Sequence, residues 1–414
     1  MTSMVDAMSF DILNPDLYGH GDPATNGLPL RQYETMRREF PCYRQPIHDT
    51  DLMDWAWVVS RHADVIAIDR DHDRFVSGRG VTLRKFEPTL PEHGGKPSMI
   101  TMDGADHVRN RRIVGRGFSP PVIRQFEARF RAICADVLDP AVAKVDVDFV
   151  TDVAGELPLR AICALLGVPD EDRADVLRWS NAFSVPTDPD YSPTMDEMMG
   201  AVLSIWAYGV SLAEKRRVDP RDDVMSKVAA ALEAEQLSED ELMGMMLLLA
   251  GAGNETTRNA LSHGLHALMR FPDQLELLQS EREAVLTSAV EEILRWSSPV
   301  IGFRRTTAVD VEVAGQQIPA GDPVTILYAS ANFDETVFPE PERFDITRTP
   351  NPHAAFGTGP HVCLGAAVAR LEIRVVLEEL LDRVADITQS GPIAYTRDSF
   401  LRGVKSLPVH LLRR

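Results

Sequence analysis

Apolar side chains recur at three- and four-residue spacing along most of the chain beyond about residue 105. That period predicts helices over 122–140, 148–167, 193–215, 238–270, 284–296 and 364–384. Strand signals are confined to two places. Trp57-Val58-Val59, followed by a short helical pattern over Arg61-His62-Ala63-Asp64-Val65, predicts a small α+β entry region over 57–76. Asp310 to Val313 and Pro323 to Leu327, separated by the turn-like pairs Ala314-Gly315 and Ala320-Gly321, predict a second strand set. The expected fold class is mainly α with a minor β region. No repeat or low-complexity linker divides the chain, so residues 1–414 are expected to form a single domain with a short N-terminal arm over about 1–25. The stretch 81–100, rich in Gly, Pro and charge, reads as a long loop, either a lid or binding loop or a disordered segment.

Composition narrows the function classes. With 44% hydrophobic residues in 414 the chain can bury a large core. A balance of 43 basic against 62 acidic residues, net charge -19, disfavours nucleic acid and anionic membranes as partners. Cys42, Cys134, Cys163 and Cys363 form no close pair and are too few for a disulfide scaffold, which fits a reducing cytosol. The opening Met1-Thr-Ser-Met-Val-Asp lacks the order of a signal peptide, and the longest mostly apolar run, Leu242 to Asn254, is shorter than a span of about 20 residues. A cytoplasmic protein without a membrane anchor is the expectation.

The candidate chemistry concentrates at Phe356-Gly-Thr-Gly-Pro-His-Val-Cys363-Leu-Gly365, which runs directly into a helical pattern from Ala366 to Glu379. Two glycines before the cysteine permit a tight bend, and Gly365 leaves room for a flat ligand over the backbone. A cysteine at a helix N-terminus is expected to have a lowered pKa and to bind a metal as thiolate. Haem iron accepts such a ligand, and thiolate donation favours O–O cleavage. Cys134 and Cys163, set among apolar helix positions, read as buried, unreactive thiols.

The run from Phe356 to Arg370 resembles the haem-binding signature of cytochromes P450, F-G-x-G-x-H-x-C-x-G-x-x-x-A-R, with Val368 where the family often has Leu. Further motifs follow the family's order, so the resemblance covers the chain from about residue 30 onward. Ala252-Gly-Asn-Glu255-Thr256-Thr257 lies inside a long helix that opens with a capping box, Ser238-Glu-Asp-Glu241, and ends before Phe271-Pro272. Thr256 is placed to bond back to the carbonyl of Ala252 and open a groove. The resemblance implies that this groove holds O2 over the iron and that Glu255 and Thr256 deliver protons to it. Glu292-Ile-Leu-Arg295 resembles the family's E-x-x-R, on one helix face. By resemblance this pair locks the core under the haem together with Arg343 of Pro341-Glu-Arg343-Phe344.

Two haem propionates need cationic partners. His107 and Arg111 share one helix face, and together with Arg305 and His353 they match the family's propionate ligands, with His361 as a further candidate. The resemblance therefore implies haem b, ligated by Cys363 and flanked by Ala252 and Gly365, held between the long central helix and the cysteine loop. The implied reaction is monooxygenation of an apolar small molecule. Electrons are expected from NAD(P)H through ferredoxin reductase and ferredoxin, because no flavin or iron–sulfur motif is present. A peroxygenase, or a haem sensor or carrier, is the alternative; the Glu255–Thr256 pair argues against both. Lack of an anchor resembles bacterial members, and a monomer is expected. Leu248, Val300, Ile301, Phe303, Phe400, Leu401 and the 81–100 loop are expected to line an apolar substrate pocket suited to a lipid, terpenoid or sterol. The Ala252 to Asn259 run and the ending Phe400 to Pro408 look like actinobacterial members acting on sterols and branched lipids. Arg402 reads as a surface residue. Arg109, Arg112 and Arg116, opposite His107 and Arg111 on their helix, are expected to face outward and steer an acidic ferredoxin.

Overall fold

The computed structural model describes residues 11–414, apart from residues 86, 88, 91–94, 185–187, 189 and 191–193. Its axis is the helix Glu239–Arg270, about 48 Å long at 1.5 Å per residue. The expected capping box is formed: Ser238 Oγ accepts from Glu241 N at 3.2 Å, and Glu241 Oε2 accepts from Ser238 N at 2.8 Å. Phe271 caps the other end, and Pro272 begins the next helix. Apolar residues on several sides of this helix, among them Leu242, Met246, Leu261 and Leu265, are buried. It packs against Met195–Val218, Glu156–Leu166 and Arg282–Ser297, as expected of a helix at the centre of a core. Gly244 is required by the close approach of the 95–98 segment, because a Cβ there would lie 2.0 Å from the Pro97 carbonyl oxygen.

The remaining predicted helices form with adjusted bounds. The pattern over 122–140 becomes Pro120–Lys144 and that over 284–296 becomes Arg282–Ser297. The one expected over 148–167 is divided into a π-turn at Val150–Ala154 and the helix Glu156–Leu166, which stops at left-handed Gly167. Residue 193, where another was expected to begin, lies outside the described residues, and that helix runs Met195–Val218. Among the described residues no helix is long and apolar enough to cross a membrane.

The expected strand at Trp57–Val59 and the Pro323–Leu327 half of the second set join one five-stranded sheet, ordered Cys42–Pro46, Trp55–Val59, Pro323–Ile326, Phe303–Thr307, Phe75–Val76. Its parallel pair sets Trp57 against Val324 and Val59 against Ile326; the other pairs are antiparallel. Val311–Val313 and Gln316–Ile318 form a separate hairpin. A three-stranded sheet, Asp146–Asp148, Pro408–Arg413, Val384–Gln389, was not expected from the sequence. At the N-terminal end, Ile12, Leu13 and Tyr18 are buried in the main core, so the expected arm is packed from residue 12.

Arg402, expected at the surface, is 3% exposed. Its guanidinium donates to the carbonyls of Trp296 at 2.7 Å and Ser297 at 2.5 Å, and its own N–H bonds the Pro299 carbonyl at 2.9 Å. These bonds hold the C-terminal loop against Pro299 to Phe303, the segment that carries Val300 and Phe303. Burial lowers the Arg402 pKa to about 10. Beside it the buried His266 is held down to about 4, first by burial and then by Arg270 and Arg402. The folded state thus keeps His266 neutral where the unfolded chain protonates it near pH 6.5, so stability falls as pH drops through that window. His266→Asn should remove about 2 kcal/mol of the stability lost between pH 7 and pH 5. Urea unfolding at the two pH values checks this; an unchanged pH dependence would mean that His266 does not contribute.

Candidate active site

The cysteine loop turns through two left-handed glycines, Gly357 at φ 63° and Gly359 at φ 68°, conformations that side chains rarely tolerate. The 3-10 turn Gly359–His361 follows, and Cys363 N donates to the Phe356 carbonyl at 2.8 Å, closing the loop. Gly365 then caps the helix Ala366–Arg383. Cys363 is consequently placed at a helix N-terminus with its surface open to a cavity. Burial by the surrounding protein pushes its thiol pKa up, opposed by the Gly365 backbone N–H, Arg111 and Arg370. The lowered pKa expected from the helix end alone is therefore outweighed by desolvation.

This cavity lies between the loop and the long helix. Ala252, Gly253, Thr256 and Thr257 line it from the helix; Phe356, Cys363, Leu364 and Gly365 line it from the loop. Thr256 Oγ1 donates to the Ala252 carbonyl at 2.7 Å, the back-bond expected from its position. Met99, Ile100, Leu248, Leu249, Val300 and Phe303 give the cavity an apolar wall. Met99 and Ile100 belong to the 81–100 stretch; its residues 86, 88 and 91–94 lie outside the described residues.

His107, Arg111, Arg305 and His361, drawn from three distant segments, converge on the same cavity. The two imidazoles approach to 4.1 Å between ring centroids. His107 Nε2 is buried with no hydrogen-bond partner. The His361 pKa falls to about 3, through burial and then the neighbouring Arg305, His107 and Arg111. Burial and Arg111 likewise lower His107. Two guanidinium groups beside two neutral imidazoles, one with an unpartnered ring nitrogen, form a site that anionic oxygens would suit.

A family model, Cytochrome P450, matches residues 190–390. The chain is 39% identical over 385 residues, 91% of its length and 90% of the relative, to a methyl-branched lipid omega-hydroxylase of Mycobacterium bovis. The chain belongs to the cytochrome P450 family. It is also 37% identical over 412 residues to a steroid C26-monooxygenase of Rhodococcus jostii, covering 97% of this P450 and 84% of that relative. A solved cytochrome P450 of Mycobacterium marinum in complex with pseudoionone superposes with a TM-score of 0.86 at 34% identity, covering 95% of this chain and 98% of that one. This P450 is accordingly a monooxygenase of mainly helical fold whose family implies haem, and its cavity fits that group. A flat cofactor bound there would lie between Cys363 and the Ala252–Thr256 groove, and Arg111, Arg305, His107 and His361 would be within the same cavity to take its carboxylates.

Several expected site residues of this P450 stand elsewhere. His353 is not a cavity residue: its Nε2 bonds Glu291 at 3.1 Å, and the same carboxylate takes Arg370. Burial would raise Glu291, but Arg370 and His353 hold it at about 2. His361 occupies the place expected for His353. Arg343 is likewise corrected: its side chain is 54% exposed beside Glu340, and the second arginine on Glu292 is Arg348, at 3.1 Å. The reason is loop geometry, which turns the Arg343 carbonyl, not its guanidinium, toward Arg295 and Arg348. Glu255 does not line the cavity; it is 1% exposed and paired with Arg258. Ile301, Phe400 and Leu401 are also absent from the wall. Ile301 is fully buried, and Phe400 stacks edge-on behind Phe303 at 5.3 Å. Arg109, expected to face a partner, instead grips Glu241 and donates to the Gln236 carbonyl at 2.9 Å. Arg112 is exposed, and the Arg116 side chain lies outside the described residues.

Proposed function

We propose that this P450 inserts one atom of O2 into a lipid or sterol-like substrate, with electrons from NAD(P)H passed through a ferredoxin reductase and a ferredoxin. The observation that carries this reading is the cavity wall of Met99, Ile100, Leu248, Leu249, Val300 and Phe303, opposite the cysteine loop. Such a wall selects apolar surface. The names of the relatives, a methyl-branched lipid hydroxylase and a steroid monooxygenase, agree with it. Bound haem supplies the oxygen chemistry. Cys363 would hold its iron, and His107, Arg111, Arg305 and His361 would hold its propionates.

The Thr256 hydroxyl, facing the cavity, positions a proton for the reacting oxygen. Glu255 is the donor behind it: burial raises its pKa against the pull of Arg258, so it is able to carry a proton. To reach Thr256 its carboxylate would have to turn away from Arg258, its partner in the structure. Thr256→Ala should retain haem and substrate affinity, while the fraction of NADH converted to product falls on the order of tenfold or more and hydrogen peroxide rises. Measured coupling equal to that of the unsubstituted enzyme would remove Thr256 from the mechanism. Titration of branched fatty acids, sterols and terpenoids against the Soret spectrum tests the substrate class. A spin-state shift given only by small polar molecules would overturn it.

A further inference from the structure

Asp69 lies in the last turn of a short helix, His62–Arg70, far in sequence from every motif of the haem site. Its side chain is 1% exposed. Oδ1 accepts from Arg305 Nη2 at 2.9 Å, and Oδ2 accepts the backbone N–H of Thr358 in the cysteine loop. The Tyr328 hydroxyl lies beside the same carboxylate: a Cβ on Gly357 would lie 3.1 Å from that hydroxyl and 3.0 Å from Asp69 Oδ2. Arg305, Tyr328 and Gly357 line the cavity, whereas Asp69 stands directly behind them. The contact is close: a Cβ on Gly359 would lie 2.6 Å from the Asp69 carbonyl oxygen.

One buried carboxylate therefore touches both the propionate clamp and the loop that carries the thiolate. Its two hydrogen-bonding jobs fix the direction of Arg305 and the bend before Cys363. Its charge also opposes that of Arg305, so the clamp meets the haem as a nearly neutral pair and not as a free cation. We infer that Asp69 is a positioning residue that sets the haem reduction potential, holding Arg305 and the cysteine loop in place while keeping the potential low.

The sign follows from charge. Reduction adds one electron to the haem, and a nearby negative charge disfavours it. Removing a unit charge at a distance of order 10 Å, in an interior of effective dielectric about 20, alters a one-electron equilibrium by on the order of tenfold. The inference rests on the haem site and is independent of the substrate and the redox partners.

The test is spectroelectrochemical titration of purified, haem-loaded Asp69→Asn and Asp69→Glu beside the unsubstituted protein. At the midpoint potential of the latter, Asp69→Asn should show a reduced-to-oxidised ratio raised about tenfold, a positive shift of about 59 mV. Asp69→Glu, which keeps the charge, should stay within about threefold of the unsubstituted ratio. An unchanged or negative shift in Asp69→Asn, or an equal shift in both variants, would overturn the inference. If Asp69→Asn takes up no haem, loading decides the matter. Recovery with Glu but not with Asn or Ala supports the charged contact; loss in all three makes Asp69 a packing residue. Absence of haem from the unsubstituted protein would instead fail the haem site itself.

Discussion

Glu292→Ala should leave most of the protein without haem and lower its stability by about 3 to 5 kcal/mol, the usual cost of removing one partner from a buried ion pair. Glu292 and Arg295 are both fully buried. The carboxylate accepts from Arg295 through both oxygens at 2.8 Å, from Arg348 at 3.1 Å, from Asn351 at 3.1 Å and from the Asp345 backbone at 3.0 Å. Arg295 in turn donates to the carbonyls of Asn332 and Pro341. This cluster fixes the segment 332–351 that leads into the cysteine loop, so its loss reaches the haem site through the backbone. Without the carboxylate two guanidinium groups remain in the interior with no counter-charge. Haem content after purification and the urea unfolding midpoint read the effect. Full haem with an unchanged midpoint would show that the five bonds are dispensable.

Cys363→Ala should abolish the long-wavelength Soret band of the reduced carbonyl complex, and turnover with it, because Cys363 would supply the thiolate that such a band requires. No other cysteine is suited to replace it. Cys42, Cys134 and Cys163 are buried, with burial pushing each thiol pKa up, and none lines the cavity. An unchanged band in the variant would assign the ligand to one of them.

Local signals carried the parts of this architecture that were legible in the sequence. The capping box at Ser238, the stop at Phe271-Pro272 and the Thr256 back-bond all act within four residues, so adjacent side chains specify them. The glycine frame before Cys363 was legible for the same reason. The strand Val384–Gln389 was not: its buried positions do not alternate, and its apolar residues continue the period of the preceding helix. Its formation depends on pairing with Pro408–Arg413, a long-range contact that periodicity does not encode. Ring and guanidinium directions were the other failure. His353 and His361 flank one loop, and Arg343 and Arg348 another; which of each pair turns inward depends on carboxylates contributed by the helix Arg282–Ser297. Asp69 left no local trace, since its partner Arg305 lies 236 residues away.

The origin of the inserted oxygen distinguishes O2-dependent monooxygenation from peroxide-driven turnover most directly. The enzyme should be supplied with NADH, a ferredoxin reductase, a ferredoxin, a branched fatty acid or sterol that shifts its Soret band, and 18O2, and the product analysed by mass spectrometry. One labelled oxygen atom per hydroxylated product is predicted, and its yield should fall in Thr256→Ala. Product that carries no label, or that forms only when peroxide is added, would contradict the account.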